Sequence, residues 1–156
     1  MNYSDGELEV RKTIRSDIDA LKDNLREQDF NEMKLMGIES IENALLFGFE
    51  SPESECFTVV YQGKISAMFG VVPSENDDET ATIWMLSSNE VRKFPKRFLK
   101  LAKEYIDGLR KQYETLWNFV HPSNTLSLKL LEILRAEFRW GFNSPKTDEP
   151  FILFLI

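Results

Sequence analysis

Thr80-Ala81-Thr82-Ile83-Trp84-Met85-Leu86, the basic run Arg92-Lys93-Phe94-Pro95-Lys96-Arg97, and Thr115-Leu116-Trp117-Asn118-Phe119-Val120 with the turn His121-Pro122-Ser123-Asn124 together decide the fold. The first and third runs are β-branched and aromatic stretches of strand length. Between them Phe98, Leu101, Ala102, Tyr105, Ile106 and Leu109 recur at helical spacing. Ser87-Ser88-Asn89-Glu90 supplies a capping hydroxyl followed three residues later by an acid, and Pro95 suits the first position of a helix. The reading is therefore a strand over 80–86, a short turn, a basic helix from near Pro95 to about Tyr113, and a strand over 115–120. A helical crossover makes the two strands parallel and the connection right-handed. A second helix opens at Asn124.

Working toward the N-terminus, Cys56–Tyr61 and Lys64–Val72 read as a hairpin turning at Gln62-Gly63, where glycine supplies positive φ. Pro73–Glu79 reads as an acidic, solvated loop. Leu8–Arg15 reads as a first strand. Ser16-Asp17-Ile18-Asp19 starts a helix whose apolar positions Ile18, Leu21 and Leu25 carry it to about Gln28. Asp29–Met36 forms a second short helix stopped by Gly37, and Ser40 opens a third with Ile41, Ala44, Leu45 and Phe49 on one side. Toward the C-terminus, Phe138–Phe142 and Phe151–Ile156 read as closing strands. The expectation is one α+β domain over residues 1–156, with a central mixed, mostly antiparallel sheet flanked by helices and one parallel pair, 80–86 with 115–120.

Composition narrows the function. The 156 residues are 42% hydrophobic and 29% charged, with a formal net charge of −7. Phosphate contacts come from Lys and Arg, so this balance argues against general nucleic-acid binding. No apolar run reaches the ~20 residues of a membrane span, and the first residues lack a signal-peptide core. The single cysteine, Cys56, sits in a strand run, has no internal disulfide partner and reads as an inert buried thiol in a reducing compartment. The expectation is a soluble protein made in a cytoplasm. Metal-ligand clusters, Ser/His/Asp spacing and a Gly-Lys-Ser phosphate loop are all absent from the sequence.

The order of three helices, hairpin, strand, helix, strand, helix and closing hairpin resembles the GNAT superfamily of acetyl-CoA-dependent N-acetyltransferases. Met68-Phe69-Gly70-Val71-Val72-Pro73, Ile83-Trp84-Met85-Leu86 and Leu116-Trp117-Asn118-Phe119-Val120 followed by Asn124 are similar to a small branch of GNAT-like internal virion or assembly proteins of short-tailed phages. The resemblance implies a cofactor loop of pattern Arg/Gln-x-x-Gly-x-Gly/Ala, whose bare amides hold a pyrophosphate at a helix N-terminus. Arg92 matches its leading basic position, whereas Pro95 and Arg97 replace the small residues and Pro95 removes a donor. The cofactor-binding candidates implied are Arg92, Lys93, Lys96, Arg97 and Asn124. Each has a plain alternative: a solvated helix face for the basic set, a helix N-cap for Asn124. The tyrosine that commonly protonates the departing thiolate, seven residues after the turn asparagine, is Leu131 here, and the glycine usual at the helix end is Arg135.

His121, the only histidine, is the one catalytic candidate, on the strength of its near-neutral pKa; the alternative is a structural turn residue. Trp140, Phe142, Phe151 and Phe154 cluster near the C-terminus, either as core or as a docking edge. Three functions stand at this level. The first is a catalytically degenerate GNAT-fold phage protein acting by protein contact in virion assembly, made in the host cytoplasm and packaged if internal, with no cofactor. The second is an acetyl-CoA-dependent N-acetyltransferase on an unknown amine. The third is a phage modulator of a host protein.

Overall fold

A computed structural model describes residues 1–156. Its eight strands form one sheet in the order β1-β2-β3-β4-β5-β6-β8-β7. They are β1 (Tyr3–Ser4), β2 (Leu8–Lys12), β3 (Glu55–Tyr61), β4 (Lys64–Ser74), β5 (Asp77–Ser87), β6 (Thr115–Val120), β7 (Glu137–Asn143) and β8 (Pro150–Leu155). The helices are α1 (Arg15–Leu21), α2 (Glu27–Met36), α3 (Ile41–Glu50), α4 (Pro95–Leu109) and α5 (Thr125–Ile133), with a 3-10 turn over Asn89–Lys93. Every neighbouring pair is antiparallel except β5 and β6, which are parallel as the crossover requires.

Alternation along the strands divides the core between two faces. Ala81, Ile83, Leu116, Val120 and Phe154 pack with Ile106 and Leu109 of α4 and Leu131 of α5. On the same helix Leu101 meets Leu8, Val10, Phe57 and Val59. The opposite face puts Met68 and Leu86 against Ile18 and Leu21 of α1 and Leu45 of α3. Trp84 lies on this face between two glycines. A Cβ on Gly48 would stand 2.4 Å from its ring, and one on Gly70 would stand 3.2 Å from its Nε1. The indole takes the room at Gly48, whereas at Gly70 a Cβ would first strike the Glu55 carbonyl oxygen of the neighbouring strand at 2.2 Å.

Several boundaries depart from the sequence reading. The first strand ends at Lys12 and α1 begins at Arg15, because the capping acid is Asp17, whose carboxylate accepts the Ile14 N–H at 3.0 Å. Asp17 also takes both Arg11 guanidinium nitrogens, at 2.7 and 2.9 Å, and the Thr58 hydroxyl at 2.8 Å. This arrangement holds the buried carboxyl below its ordinary pKa even though burial itself pushes it up. α1 stops at Leu21 instead of continuing to Gln28, and α2 starts two residues before Asp29. The predicted acidic loop 73–79 is mostly strand: β4 runs to Ser74, β5 starts at Asp77, and Glu75-Asn76 alone form the tip. The basic helix begins at Pro95 as its sequence predicts and ends at Leu109.

Candidate functional site

β5 and β6 pair only over three registers, Thr80 with Thr115 through Thr82 with Trp117. Beyond them the strands diverge. At the crotch of this splay Asn118 Nδ2 donates to the Ile83 carbonyl at 2.7 Å, a side chain standing in for a ladder bond. The polar backbone freed further along must find partners, and α2 supplies them. The Arg26 N–H donates to the Ser87 carbonyl at 2.8 Å, and Asp29 Oδ2 accepts the Ser87 N–H at 2.9 Å and its hydroxyl at 3.2 Å. On the β6 side Glu32 Oε2 accepts the His121 N–H at 3.0 Å, and Gln28 Oε1 accepts the Leu126 N–H at 3.1 Å. One helix thus ties the two arms of the splay together.

Arg26, Asp29, Ser87 and Asn124 are all buried. Arg26 Nε lies 3.0 Å from Asp29 Oδ2, although its N–H is not aligned for a hydrogen bond. Asn124 Nδ2 donates to Asp29 Oδ1 at 3.2 Å, while its Oδ1 accepts the Ser127 N–H, also at 3.2 Å. Asn124 is therefore both the N-cap of α5 and a member of the network. Burial raises the Glu32 pKa to about 6, partly offset by the His121 N–H and Asn124.

His121 is buried, and both its ring nitrogens are engaged. Ser123 Oγ lies 2.7 Å from Nδ1 and Glu149 Oε2 lies 2.9 Å from Nε2. The Ser123 N–H also points at Nδ1, at 3.1 Å, so Nδ1 accepts and the proton sits on Nε2, facing Glu149. The fold thus assembles a serine, histidine and carboxylate that sequence spacing does not reveal. Acyl chemistry at such a group requires free donors for an oxyanion. The nearby amides are taken: Asn124 N–H by the His121 carbonyl, Thr125 N–H by the Ser123 carbonyl, and Leu126 and Ser127 as above.

The basic candidates separate. Arg97 turns toward the N-terminal strands, where it meets Asp5 at 3.1 Å and Glu7 at 3.2 Å and lies over the Tyr61 ring at 5.5 Å. Lys93 pairs with Glu90 at 2.8 Å. Arg92 and Lys96 are exposed and form no ion pair. Leu131 is part of the apolar core, and Arg135 adopts the left-handed conformation, φ 63°, that glycine favours at a helix end. Cys56 accepts from the Thr13 hydroxyl at 3.2 Å, and burial pushes its thiol up to about 11. Of the C-terminal aromatics, Phe151 and Phe154 are core, whereas Trp140 is 71% exposed on the edge strand β7.

Gln28, Asp29 and Glu32 were not among the sequence candidates. Their one signal is polarity: Glu27-Gln28-Asp29-Phe30-Asn31-Glu32 is nearly all hydrophilic, yet Asp29 on the inner side is buried. Glu149, in the loop before β8, carried none.

Residues 63–143 match the family described as Bacteriophage T7, probable scaffold protein Gp13. The probable scaffold protein gp13 of Escherichia phage T7 is 34% identical over 104 residues, covering 66% of this chain and 70% of that protein. The chain belongs to the phage Gp13 scaffold-protein family. Among solved structures it is similar to a GNAT-family acetyltransferase from Bacillus anthracis, with TM-score 0.70, 13% identity, and 100% and 98% of the two chains covered. It is also similar to the spermidine N-acetyltransferase of Vibrio cholerae in complex with CoA and spermine, with TM-score 0.69, 12% identity, and 97% and 96% covered. At these identities the likeness is one of fold: a Gp13-family sequence on a GNAT architecture. No helix is long and apolar enough to cross a membrane.

Proposed function

We propose that this protein serves phage particle assembly through contacts with other proteins, on a GNAT fold that no longer performs acetyl transfer. The observation that carries the assembly reading is its 34% identity to the probable scaffold protein of phage T7. Loss of acetyl transfer is supported by the chain's own residues. An acyl cofactor needs open backbone at the splay and small residues around a helix N-terminus. Here Asp29 takes the Ser87 N–H, Pro95 has no N–H to give, and Leu131 offers no proton. These residues do not fit acetyl-CoA. The partners proposed are other virion proteins, and the compartment is the host cytoplasm, with packaging if the protein stays in the particle.

Two measurements test the two halves. Calorimetric titration with acetyl-CoA should give no saturable heat; a low-micromolar dissociation constant, about −8 kcal/mol, would overturn the loss of cofactor and revive the acetyltransferase alternative. Deleting the gene should lower the yield of complete particles, with restoration by the wild-type chain. An unchanged yield would remove the assembly role.

A further inference from the structure

The β4–β5 hairpin outreaches its neighbours. β3 stops pairing at Glu55 opposite Val71, and on the other side the last tie is the Glu114 N–H donating to the Glu79 carbonyl at 2.8 Å, so residues 72–78 have no strand on their outer edges. Three free residues on β4 and two on β5 make a projection of about 7–10 Å. Its end is Glu75-Asn76-Asp77-Asp78-Glu79, four acids in five positions, a density reached nowhere else in the chain. All four are exposed and none joins an ion pair. The tip is nevertheless shaped: Asp77 Oδ1 accepts the Glu79 N–H at 2.9 Å, and the Thr80 hydroxyl donates to Ser74 Oγ at 2.7 Å.

The opposite end of β5, about 33 Å away at ~3.3 Å per residue, carries the reverse charge. Lys96, Lys100 and Lys103 fall at i, i+4 and i+7 on the exposed side of α4, with Arg92 on the turn before it. Arg92, Lys96 and Lys103 have no partner, and Lys100 reaches Glu104 only at 3.9 Å. The start of α4 is electrostatically incomplete. Phe94 provides no side-chain cap, the first turn holds no acid, and Lys96 sets an unpaired positive charge against the positive end of the helix dipole, whereas Arg97 beside it is already met by Asp5 and Glu7. An anion arriving from outside relieves this, and within one molecule the acidic tip is too distant to do so.

We propose that the acidic β4–β5 tip of one copy docks on the basic entrance of α4 in the next, giving a head-to-tail, salt-sensitive self-association. Donor and acceptor surfaces differ, so the contact is heterologous and leaves a free tip and a free basic site at the ends of every open assembly. The overall charge of −7 opposes association of copies, and local complementarity sets the orientation in which it proceeds. The contact deepens the assembly reading by naming one partner, and rests on that reading only for its place in the particle.

Sedimentation velocity on the purified chain tests it. At low salt the mass should rise with concentration above the 18.2 kDa monomer. Raising salt from about 0.1 M to about 1 M shortens the Debye length from about 10 Å to about 3 Å and should weaken association at least ~tenfold. Lys96→Ala with Lys100→Ala should be monomeric, as should Asp77→Asn with Asp78→Asn. Mixed, the two variants should form a dimer and stop, because the only intact tip then meets the only intact basic site. If either pair fails to melt like the wild type, Lys103→Ala and Glu75→Gln with Glu79→Gln take its place. A wild type that stays monomeric at low salt overturns the proposal, even if its basic face captures duplex DNA or another acidic protein. So does a single variant that still assembles, or a mixture that remains monomeric or grows past the dimer. Self-association as described, with normal particle yield from the charge variants, would strike the assembly reading and leave the contact standing.

Discussion

Replacing Asp29 by alanine should destabilise the fold severely although the residue belongs to a short helix at the sheet's end. The carboxylate is 2% exposed and answers four groups at once: the Ser87 amide and hydroxyl, the Asn124 side chain and the Arg26 guanidinium. Removing it leaves a buried N–H without an acceptor, a cost of about 1–3 kcal/mol. It also leaves Arg26, 6% exposed, with only the Ser127 hydroxyl at 3.2 Å. Stranding one member of a buried pair costs about 3–5 kcal/mol. The two losses overlap, since Arg26 can relax toward solvent, so the expected total is about 3–5 kcal/mol. Against a typical reserve of roughly 5–15 kcal/mol this is a large share. It corresponds to a fall in Tm of roughly 6–20 °C for a domain near this size.

Urea titration of the wild type, Asp29→Ala, Arg26→Met and the double variant measures it. The double variant should lose markedly less than the two single losses added, because neither buried charge then stands alone. A loss under about 1 kcal/mol for Asp29→Ala, or a cycle without coupling, would refute the view that α2 holds the splay through this pair.

Gly48→Ala places a methyl 2.4 Å from the Trp84 ring and should cost about 1–3 kcal/mol by thermal melting, with a shift in tryptophan emission. Arg135→Gly should stabilise by about 1 kcal/mol, since the left-handed backbone there penalises any residue with a Cβ. The Glu32 pKa, raised to about 6 by burial with Asp29 adding to it and His121 opposing it, makes the folded state bind more protons than the unfolded one. Stability from this group is therefore fully present below about pH 4.5 and lost as the pH rises through about 6, by at most about 2 kcal/mol. Glu32→Gln keeps an acceptor for the His121 N–H and should match the wild type at pH 4 while exceeding it at pH 7.5 in paired urea titrations.

The strand–helix–strand core was legible because its signals are local. Pro95 at the first helical position, Asn124 at a cap and the apolar spacing from Phe98 to Leu109 each depend on a few neighbouring residues, and each stands where the sequence puts it. The tip at Glu75-Asn76 was not legible. Its acids suggest a loop, whereas the pairing of Val72 with Thr82 and Pro73 with Ala81 carries both strands onward past β3. Tertiary pairing there overrides composition. The site failed for a different reason: Asp29 and Ser87 lie 58 positions apart, as His121 and Glu32 lie 89 apart, and no periodicity links them. What the sequence does carry is the set of departures, Pro95, Arg97 and Leu131, where small or protic residues belong to the cofactor pattern.

Those departures and the α2 network bear on one another. A parallel pair that diverges after three registers exposes backbone donors and acceptors that water or a ligand must satisfy if the protein does not. In this chain the demand is met internally, by Asp29 and Arg26 on one arm and Glu32 and Gln28 on the other. At the entrance of α4, Arg97 ties that helix to Asp5 and Glu7 beside the first strands. The splay then works as a joint that sets α2 across the sheet end, with Ser144 and Lys146 fastening the far end of the same helix through the Met36 and Gly37 carbonyls. A structural joint needs rigidity where a catalytic cleft needs vacancy. On the function proposed above, the residues Pro95 and Arg97 at the start of α4 and the buried polar network of α2 belong to one structural arrangement.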